Sequence, residues 1–258
     1  MSQPLVGRTI SYQLFPIAQI ELSQYENKLE TMNNLEERLR FGTYPELFHL
    51  TSNEQKISYL KDLIEFNLAK DLLAFENLKN SQKLTELLRM IAHQIGQEVS
   101  VEELGRQLQL SKNTVDKYLD LLSKIFIIFK RSGYSNNLRK EITKSHRWYF
   151  YDNGIRNAVL NDFNHLAFRD DIGMLWENYF VSERMKYNTY LNKGVNSYFW
   201  RTYDQQEIDL IEEKDGQLNA IECKWKKGKV KTTTAFKKAY TEANFQVVNK
   251  ENYMEFIC

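Results

Sequence analysis

Apolar positions recur along this chain with two different periods, and the change from one to the other divides it. From Asn53 to Leu73, the residues Ile57, Leu60, Ile64, Leu68 and Leu72 fall three and four apart, which predicts an amphipathic helix. Ser81 is placed to cap a second helix through Leu84, Leu87, Leu88, Ile91 and Ile95, and Gly96 stops it. Upstream, Leu35 to Leu39 opens a helix that FGTYPELF breaks at Gly42 and Pro45. Residues 1–33 hold too little apolar content to close a core. Within them GRTISYQLFPIAQIEL reads as a strand-like start, a break at Pro16 and a short helical pattern.

The stretch VSVEELGRQLQLSKNTVDKYLDLLSKIFIIFKR predicts two short helices joined by a tight turn. Ser100 caps the first, with Glu103 in the capping-box position and Leu104 and Leu108 facing inward. After a turn at Gln109–Leu110, Ser111 caps the second, whose buried side is Val115, Leu119 and Leu122. IFIIF then predicts a strand and RWYFYD another, with a basic loop between them. Paired helices followed by two such strands describe a winged helix-turn-helix. Asp171 to Leu191 predicts a long helix, and beyond it the period falls to two. VNSYFWRTY, EIDLIEE and LNAIECK read as strands, Thr234 to Glu242 as a helix, FQVVN as a strand and YMEFI as a last strand. Helix, three strands, helix and strand make a mixed α/β unit rather than a regular βαβ series.

Composition adds limits. With 258 residues and 42% hydrophobic content the chain can form one to three domains. No apolar run is long enough for a transmembrane helix, and MSQPLVGRTI has no apolar signal segment, so no membrane partner is expected. Two cysteines, Cys223 and Cys258, make no disulfide scaffold and fit a reducing cytoplasm. The formal charge of +1 says little, but its distribution says more. Val99 to Arg147 holds ten Lys and Arg against five Asp and Glu, and Glu222 to Lys250 holds eight against two. Such local positive surfaces attract phosphate backbones, although ordinary solvated faces also carry charge. His49, His93, His146 and His165 are scattered without zinc spacing. Trp176, Trp200 and Trp225 read as core residues more readily than as a base-stacking platform, and Cys223 as a small buried hydrophobe.

The chemistry concentrates in IDLIEEKDGQLNAIECKW, Ile208 to Trp225. With the turn at Lys214–Gln217, Glu213 faces Leu218, Ile211 faces Ala220, Asp209 faces Glu222 and Glu207 faces Lys224. Opposed side chains lie roughly 4.5–5.5 Å apart at Cβ, so Asp209 and Glu222 repel unless a cation lies between them. Asp209 and Glu222 are candidate ligands for Mg²⁺ or Mn²⁺, with the backbone carbonyl of Cys223 completing the shell and Glu177 reaching in from the preceding helix. Lys224, one pleat from Glu222, would orient a water or stabilise charge on an attacked phosphate. Gln206 and Glu207 are secondary candidates. The plainer reading is a surface cross-strand pair, Glu207 with Lys224. For nucleic acid, Lys112 and Lys117 suit phosphates and Asn113 and Thr114 suit base edges at the start of the second short helix. Arg131, Arg139, Lys140, Lys144 and Arg147 sit in or beside the wing. Asp116 and Asp120 on the same helix oppose a phosphate, and a protein-packing role for this unit stays open.

Glu177, Asp209 and Glu222-Cys223-Lys224 together resemble the PD-(D/E)xK nuclease superfamily. A wider resemblance runs through GRTISYQLFPIAQIEL, FGTYPELF, SKNTVDKYLDLL, RWYFYDNGIRNAVL, GMLWENYFVSERM, YFWRTYDQQEIDLI and AIECKW. These stretches resemble the C-terminal portion of a bacterial and archaeal AAA-type ATPase family that carries the domain of unknown function DUF4143. The resemblance implies a remnant of the ATPase domain at 1–33, with Arg8 near the nucleotide domain, and then a helical segment at 34–98. It implies a winged helix-turn-helix at 99–165 and a restriction-endonuclease-like α/β domain at 166–258, an α+β multidomain fold. No GxxxxGK[ST] string occurs, so no ATP site is expected in this chain. Two functions stay open: a DNA-binding, metal-dependent nuclease, and a non-catalytic module that contacts a protein partner or the missing ATPase domain.

Overall fold

The computed structural model describes residues 13–74, 81–135, 146–202, 204–228 and 234–258, the side chains of 67–74 and 81 excepted. Arg8, Arg139, Lys140 and Lys144 lie outside the described residues. The architecture is α+β, with mixed helices and two small sheets.

The first part is helical: α1 (Gln19–Leu22), α2 (Lys28–Asn33), α3 (Leu35–Phe41), a 3₁₀ turn begun by Pro45, α4 (Asn53–Ala74) and α5 (Ser81–His93). The spacing-predicted residues of α5 form its buried face, with Leu84, Leu87, Leu88 and Ile91 fully enclosed. Next come β1 (Glu98–Val99), α6 (Val101–Leu108), α7 (Lys112–Lys124), β2 (Ile128–Ser132), β3 (His146–Phe150) and α8 (Asn153–Leu160). The caps fall where the sequence puts them. Ser100 Oγ accepts from the Glu103 N–H and Ser111 Oγ from the Thr114 N–H. The strand expected at IFIIF begins three residues late. The Ile127 N–H bonds the Leu122 carbonyl and Phe126 has φ +58°, so Ile125–Ile127 close α7 instead. β1 was not expected from sequence. Two residues long, it pairs with β3 and gives the sheet order β1-β3-β2.

The C-terminal part runs α9 (Ile172–Tyr190), β4 (Asn196–Arg201), β5 (Glu207–Lys214), β6 (Gln217–Cys223), α10 (Thr234–Ala239), β7 (Asn244–Val248) and α11 (Met254–Ile257). The sheet order is β4-β5-β6-β7, antiparallel except for the last pair. The hairpin register expected from sequence holds at Glu213↔Leu218 and Ile211↔Ala220. Asp215 (φ +52°) and Gly216 (φ +77°) make the two-residue turn, a left-handed pair that matches strand twist. YMEFI is a helical turn, not a strand. Its buried Ile257 and Tyr253 pack under α9 instead of extending the sheet.

One helix serves both sheets. On one side of α9, Asn178 Oδ1 accepts the Phe150 N–H (2.7 Å) and Nδ2 donates to Asn153 (2.6 Å). On another, Trp176 and Phe180 pack with Leu210, Ile221 and Cys223. The sheets also touch directly, where the Tyr134 N–H bonds the Phe199 carbonyl at 2.7 Å. Because buried polar groups are costly without partners, the two bonds between the Asn178 amide and the Phe150 backbone fix the height of α9 against β3. The early segment joins this body: Phe15 stacks on Tyr151, and the Gln19 N–H bonds Glu183 (2.5 Å).

A carboxylate cluster closed by an arginine as the candidate functional site

Strand β3 alternates. Trp148 and Phe150 enter the core shared by the helices, while Arg147 and Tyr149 face the other way, toward α9 and the second sheet. Opposite them α9 presents Glu177. The Tyr149 hydroxyl donates to Glu177 Oε1 at 2.7 Å. The Arg147 guanidinium, 2% exposed, donates to Glu207 Oε2 at 2.6 Å. Another of its nitrogens stands 3.8 Å from both Glu177 Oε1 and Asp209 Oδ1. The same guanidinium lies over the Phe199 ring at 4.6 Å.

Asp209 stands where the β5–β6 ladder stops. The last paired position is Leu210↔Ile221, and beyond it Asp209 Oδ2 accepts the Cys223 N–H at 2.7 Å. A side chain thus takes the place of a backbone partner and fixes the carboxylate. Glu222 and Lys224, one pleat apart, meet at 2.7 Å. Behind the site Gly96 has φ +73°, and a Cβ there would come within 2.8 Å of Glu177 Oε1. Glycine is required at that position twice over, by its backbone and by the carboxylate beside it.

The electrostatics follow from burial. Burial pushes the Glu177 carboxyl up to about 7, with the charges of Glu207 and Glu222 adding to the push and Arg147 and Tyr149 opposing it. Burial also drives the Asp209 carboxyl well above the ordinary range, reinforced by Glu177 and Glu222. Burial pulls the Lys224 ammonium down, but its bond to Glu222 together with the charges of Glu222 and Asp209 outweighs this, and its pKa stays above the usual value. Burial opposes charge on Arg147 as well, yet Tyr149, Glu177, Glu207 and Asp209 hold its pKa above the ordinary one.

Glu177, Asp209, Glu222 and Lys224 are therefore neighbours at one place, with Glu207 beside them. Among the described residues no group of three or more His, Cys, Asp or Glu side chains closes into a metal cage. Arg147, expected on an outer nucleic-acid surface, is buried inside this cluster, because the face of β3 that carries it is covered by α9 and β5. Arg131 is paired with Arg147 across the ladder and lines a groove beside α9. Lys112, Asn113 and Lys117 are exposed at the start of α7, with Lys112 bonded to Glu102 at 2.5 Å. Thr114 is half-buried, its hydroxyl 2.8 Å from that of Ser111. Sequence reasoning missed the roles of Arg147 and Tyr149. The signal available was their alternation with Trp148 and Phe150, which puts a cation and a phenol together on the second face of a core strand.

Comparison with known proteins adds family membership. The domain of unknown function DUF8612 matches residues 32–166, just over half of the chain. The chain belongs to the DUF8612 family. A second domain of unknown function, DUF4143, matches residues 172–256. The DUF8612 region thus supplies Arg147 and Tyr149, and the DUF4143 region supplies the carboxylates and Lys224. The uncharacterized protein Rv2008c of Mycobacterium tuberculosis is 28% identical over 185 residues, covering 71% of this chain and 41% of its own length. An uncharacterized protein of Haemophilus influenzae is 22% identical over 225 residues, covering 83% and 52%. MJ1544 of Methanocaldococcus jannaschii, also uncharacterized, is 20% identical over 223 residues, covering 80% and 48%. The chain spans about half the length of the curated relatives it matches. No solved structure matches.

Proposed function

We propose that this chain binds nucleic acid through a winged helix-turn-helix formed by α6, α7, β2 and β3. We propose further that the DUF4143 region, folded as a restriction-endonuclease-like domain, carries a site for Mg²⁺- or Mn²⁺-dependent phosphodiester hydrolysis. The observation that carries the second part is charge. Four carboxyl groups, Glu177, Glu207, Asp209 and Glu222, meet two cations, Arg147 and Lys224. The buried carboxyls are pushed upward by burial first and by one another second, so a cation placed among them would relieve both. Hard oxygen donors suit a divalent cation, which would draw the protons off the raised carboxyls. Among the described residues no three of them stand close enough to hold one as they are, so Glu177, Asp209 and Glu222 would have to turn together on binding. Glu177, Asp209, Glu222 and the Cys223 carbonyl would hold it. When bound, the metal supplies a polarised phosphoryl oxygen and a more acidic water.

The chain's own groups do the rest. The Cys223 N–H fixes the Asp209 carboxylate, and the Tyr149 hydroxyl occupies Glu177 Oε1, leaving Oε2 to turn inward. Lys224 keeps its proton, so it donates to a phosphate oxygen and does not act as a base. The exposed Lys112 and Lys117 of α7 would contact phosphates. The greater length of the relatives is consistent with an ATPase portion working beside this region, as the family resemblance implies. The deciding experiment is a Mn²⁺ titration with labelled duplex, single-stranded and branched DNA. Cleavage that Asp209→Asn abolishes supports the reading, and cleavage that survives in Asp209→Asn overturns it.

One observation favours a second reading, a non-catalytic interaction module. Arg147 bridges carboxylates of the DUF4143 region, as an ion cluster that merely docks the two regions would. Under that reading calorimetry detects no Mn²⁺ binding at millimolar concentration.

A further inference from the structure

Arg147 holds its place with fewer bonds than a buried arginine can make. A guanidinium carries several N–H donors, yet among the described residues only Nη2 makes a hydrogen bond, to Glu207 Oε2 at 2.6 Å. Nε is enclosed and has no partner. Nη1 stands 3.8 Å from both Glu177 Oε1 and Asp209 Oδ1, within the range of an ion pair and beyond that of a hydrogen bond. An arginine that docks two elements grips one carboxylate with a parallel pair of bonds, as Arg184 grips Glu212 at 2.8 and 2.7 Å. Arg147 makes no such pair. It is a charge standing between two acids and not a clasp that holds them.

The one bond that Arg147 does make leads outward. Glu207 is 45% exposed and is not among the groups that would hold a metal. Glu177 and Asp209 are, and toward them the guanidinium has only its long approaches. It can therefore withdraw without breaking a hydrogen bond to either. The register supplies the direction. Across β2 Arg147 faces Arg131, a like charge that repels it, and across β1 it faces Glu98, a carboxylate 25% exposed. Withdrawal gives up its place over the Phe199 ring. The resting position also accounts for the open arrangement of the acids. With a guanidinium between them, Glu177 and Asp209 stay apart, and among the described residues no metal cage forms.

We propose that Arg147 is a stopper: it takes the position of a divalent cation between Glu177 and Asp209, and it withdraws toward Glu207 and Glu98 when the ion enters. This role rests on the metal-dependent reading of the site. Its consequence is regulatory. One residue of the DUF8612 region sets the metal concentration at which the DUF4143 region loads, because two cations so close together repel strongly in a buried site.

The test is Mn²⁺ binding to the full chain by calorimetry at pH 7.5, without nucleic acid, so that no turnover is read. Near-UV circular dichroism in chelator first shows that each variant is folded. Arg147→Met should bind Mn²⁺ more tightly than the wild type by roughly tenfold or more, and Arg147→Lys, which restores a charge, should return toward wild-type affinity. Adding Asp209→Asn to Arg147→Met should abolish the gain. Where Arg147→Met does not fold, Arg147→Gln replaces it, since its amide still donates to Glu207. A purely structural arginine gives the opposite sign: without it the cluster loosens and Mn²⁺ binding weakens. The stopper is overturned if the neutral variant binds no more tightly than the wild type, if Arg147→Lys gains as much as Arg147→Met, or if the gain survives Asp209→Asn. In each of those cases the wild type still binds Mn²⁺ and the metal reading stands. If neither the wild type nor the variants bind Mn²⁺, the metal reading itself fails and the stopper with it.

Discussion

Replacing Arg147 by Met tests what the carboxylate cluster is for. The change keeps an apolar stem of similar reach and removes the guanidinium, with its charge, its hydrogen bond to Glu207 and its place over the Phe199 ring. Glu207 is 45% exposed, so its loss of a partner costs little, on the order of 0–1 kcal/mol. Glu177 (16%) and Asp209 (7%) are the groups that matter. Removing one member of a buried ion cluster costs about 3–5 kcal/mol when the remaining charge cannot escape. Here it can, because both carboxyls already sit above their ordinary pKa, Glu177 at about 7, and a proton relieves them. We therefore expect a deficit of about 3 kcal/mol at pH 8 in chelator, shrinking to less than half of that at pH 5. A carboxyl whose folded pKa is raised contributes stability below its unfolded value, and that contribution is lost as pH rises through the folded value. Arg147→Met raises the folded values further, so its deficit must grow with pH. Urea unfolding of both proteins at pH 5, 6.5 and 8 measures this. A deficit that is flat with pH, or larger in acid, refutes the assignment. Adding Mn²⁺ separates the two functional readings. At a hundred times its dissociation constant a bound ion stabilises by about 2.7 kcal/mol, and the variant, with the guanidinium gone, should gain at least as much as the wild type. If neither protein gains, the metal reading falls and the docking reading stands.

Three further outcomes are expected. Gly96→Ala forces φ +73° on a residue with a Cβ and drives that Cβ toward Glu177, so it should cost about 1–3 kcal/mol by thermal unfolding and, unlike an ordinary loop substitution, lower Mn²⁺ affinity. Asp171, the N-cap of α9, is pushed up by burial but held at about 2 by Arg169 and Arg156. Its folded pKa lies below the unfolded one, so Asp171→Asn should lose about 2 kcal/mol at pH 7, with the gap to wild type closing as pH falls from 4 toward 2. Lys112→Glu with Lys117→Glu should weaken DNA retention by tenfold or more in low salt and flatten its salt dependence, and unchanged retention would remove α7 as the contact surface.

What the sequence could disclose about this fold follows from the range of the forces involved. Ser100, Ser111, Gly42 and the Asp215–Gly216 turn act on the two or three residues beside them, and each fell where local chemistry put it. The apolar run Ile125–Phe129 was misread because a continuous run has no period to separate a helix end from a strand, and the bond from the Ile127 N–H to Leu122 decided it. YMEFI was misread for the same reason, being too short for a period to appear. The candidate site divides in the same way. The Asp209–Glu222–Lys224 grouping lies within one hairpin, where register is set by a turn, so it could be written down by counting. Arg147 reaches that grouping only because α9 holds two sheets at a fixed height through Asn178 and Trp176, contacts between residues far apart in the chain. The consequence bears on function. A hairpin that carries its own acids and lysine could act alone, but one whose acids are held by an arginine from the neighbouring family region cannot change its charge without that neighbour responding. Any cation that enters the cluster competes with Arg147, and any ligand that moves β3 alters the cluster. The coupling between the DUF8612 and DUF4143 regions is therefore electrostatic at its centre, and it should weaken with Arg147→Met far more than with substitution of any exposed lysine.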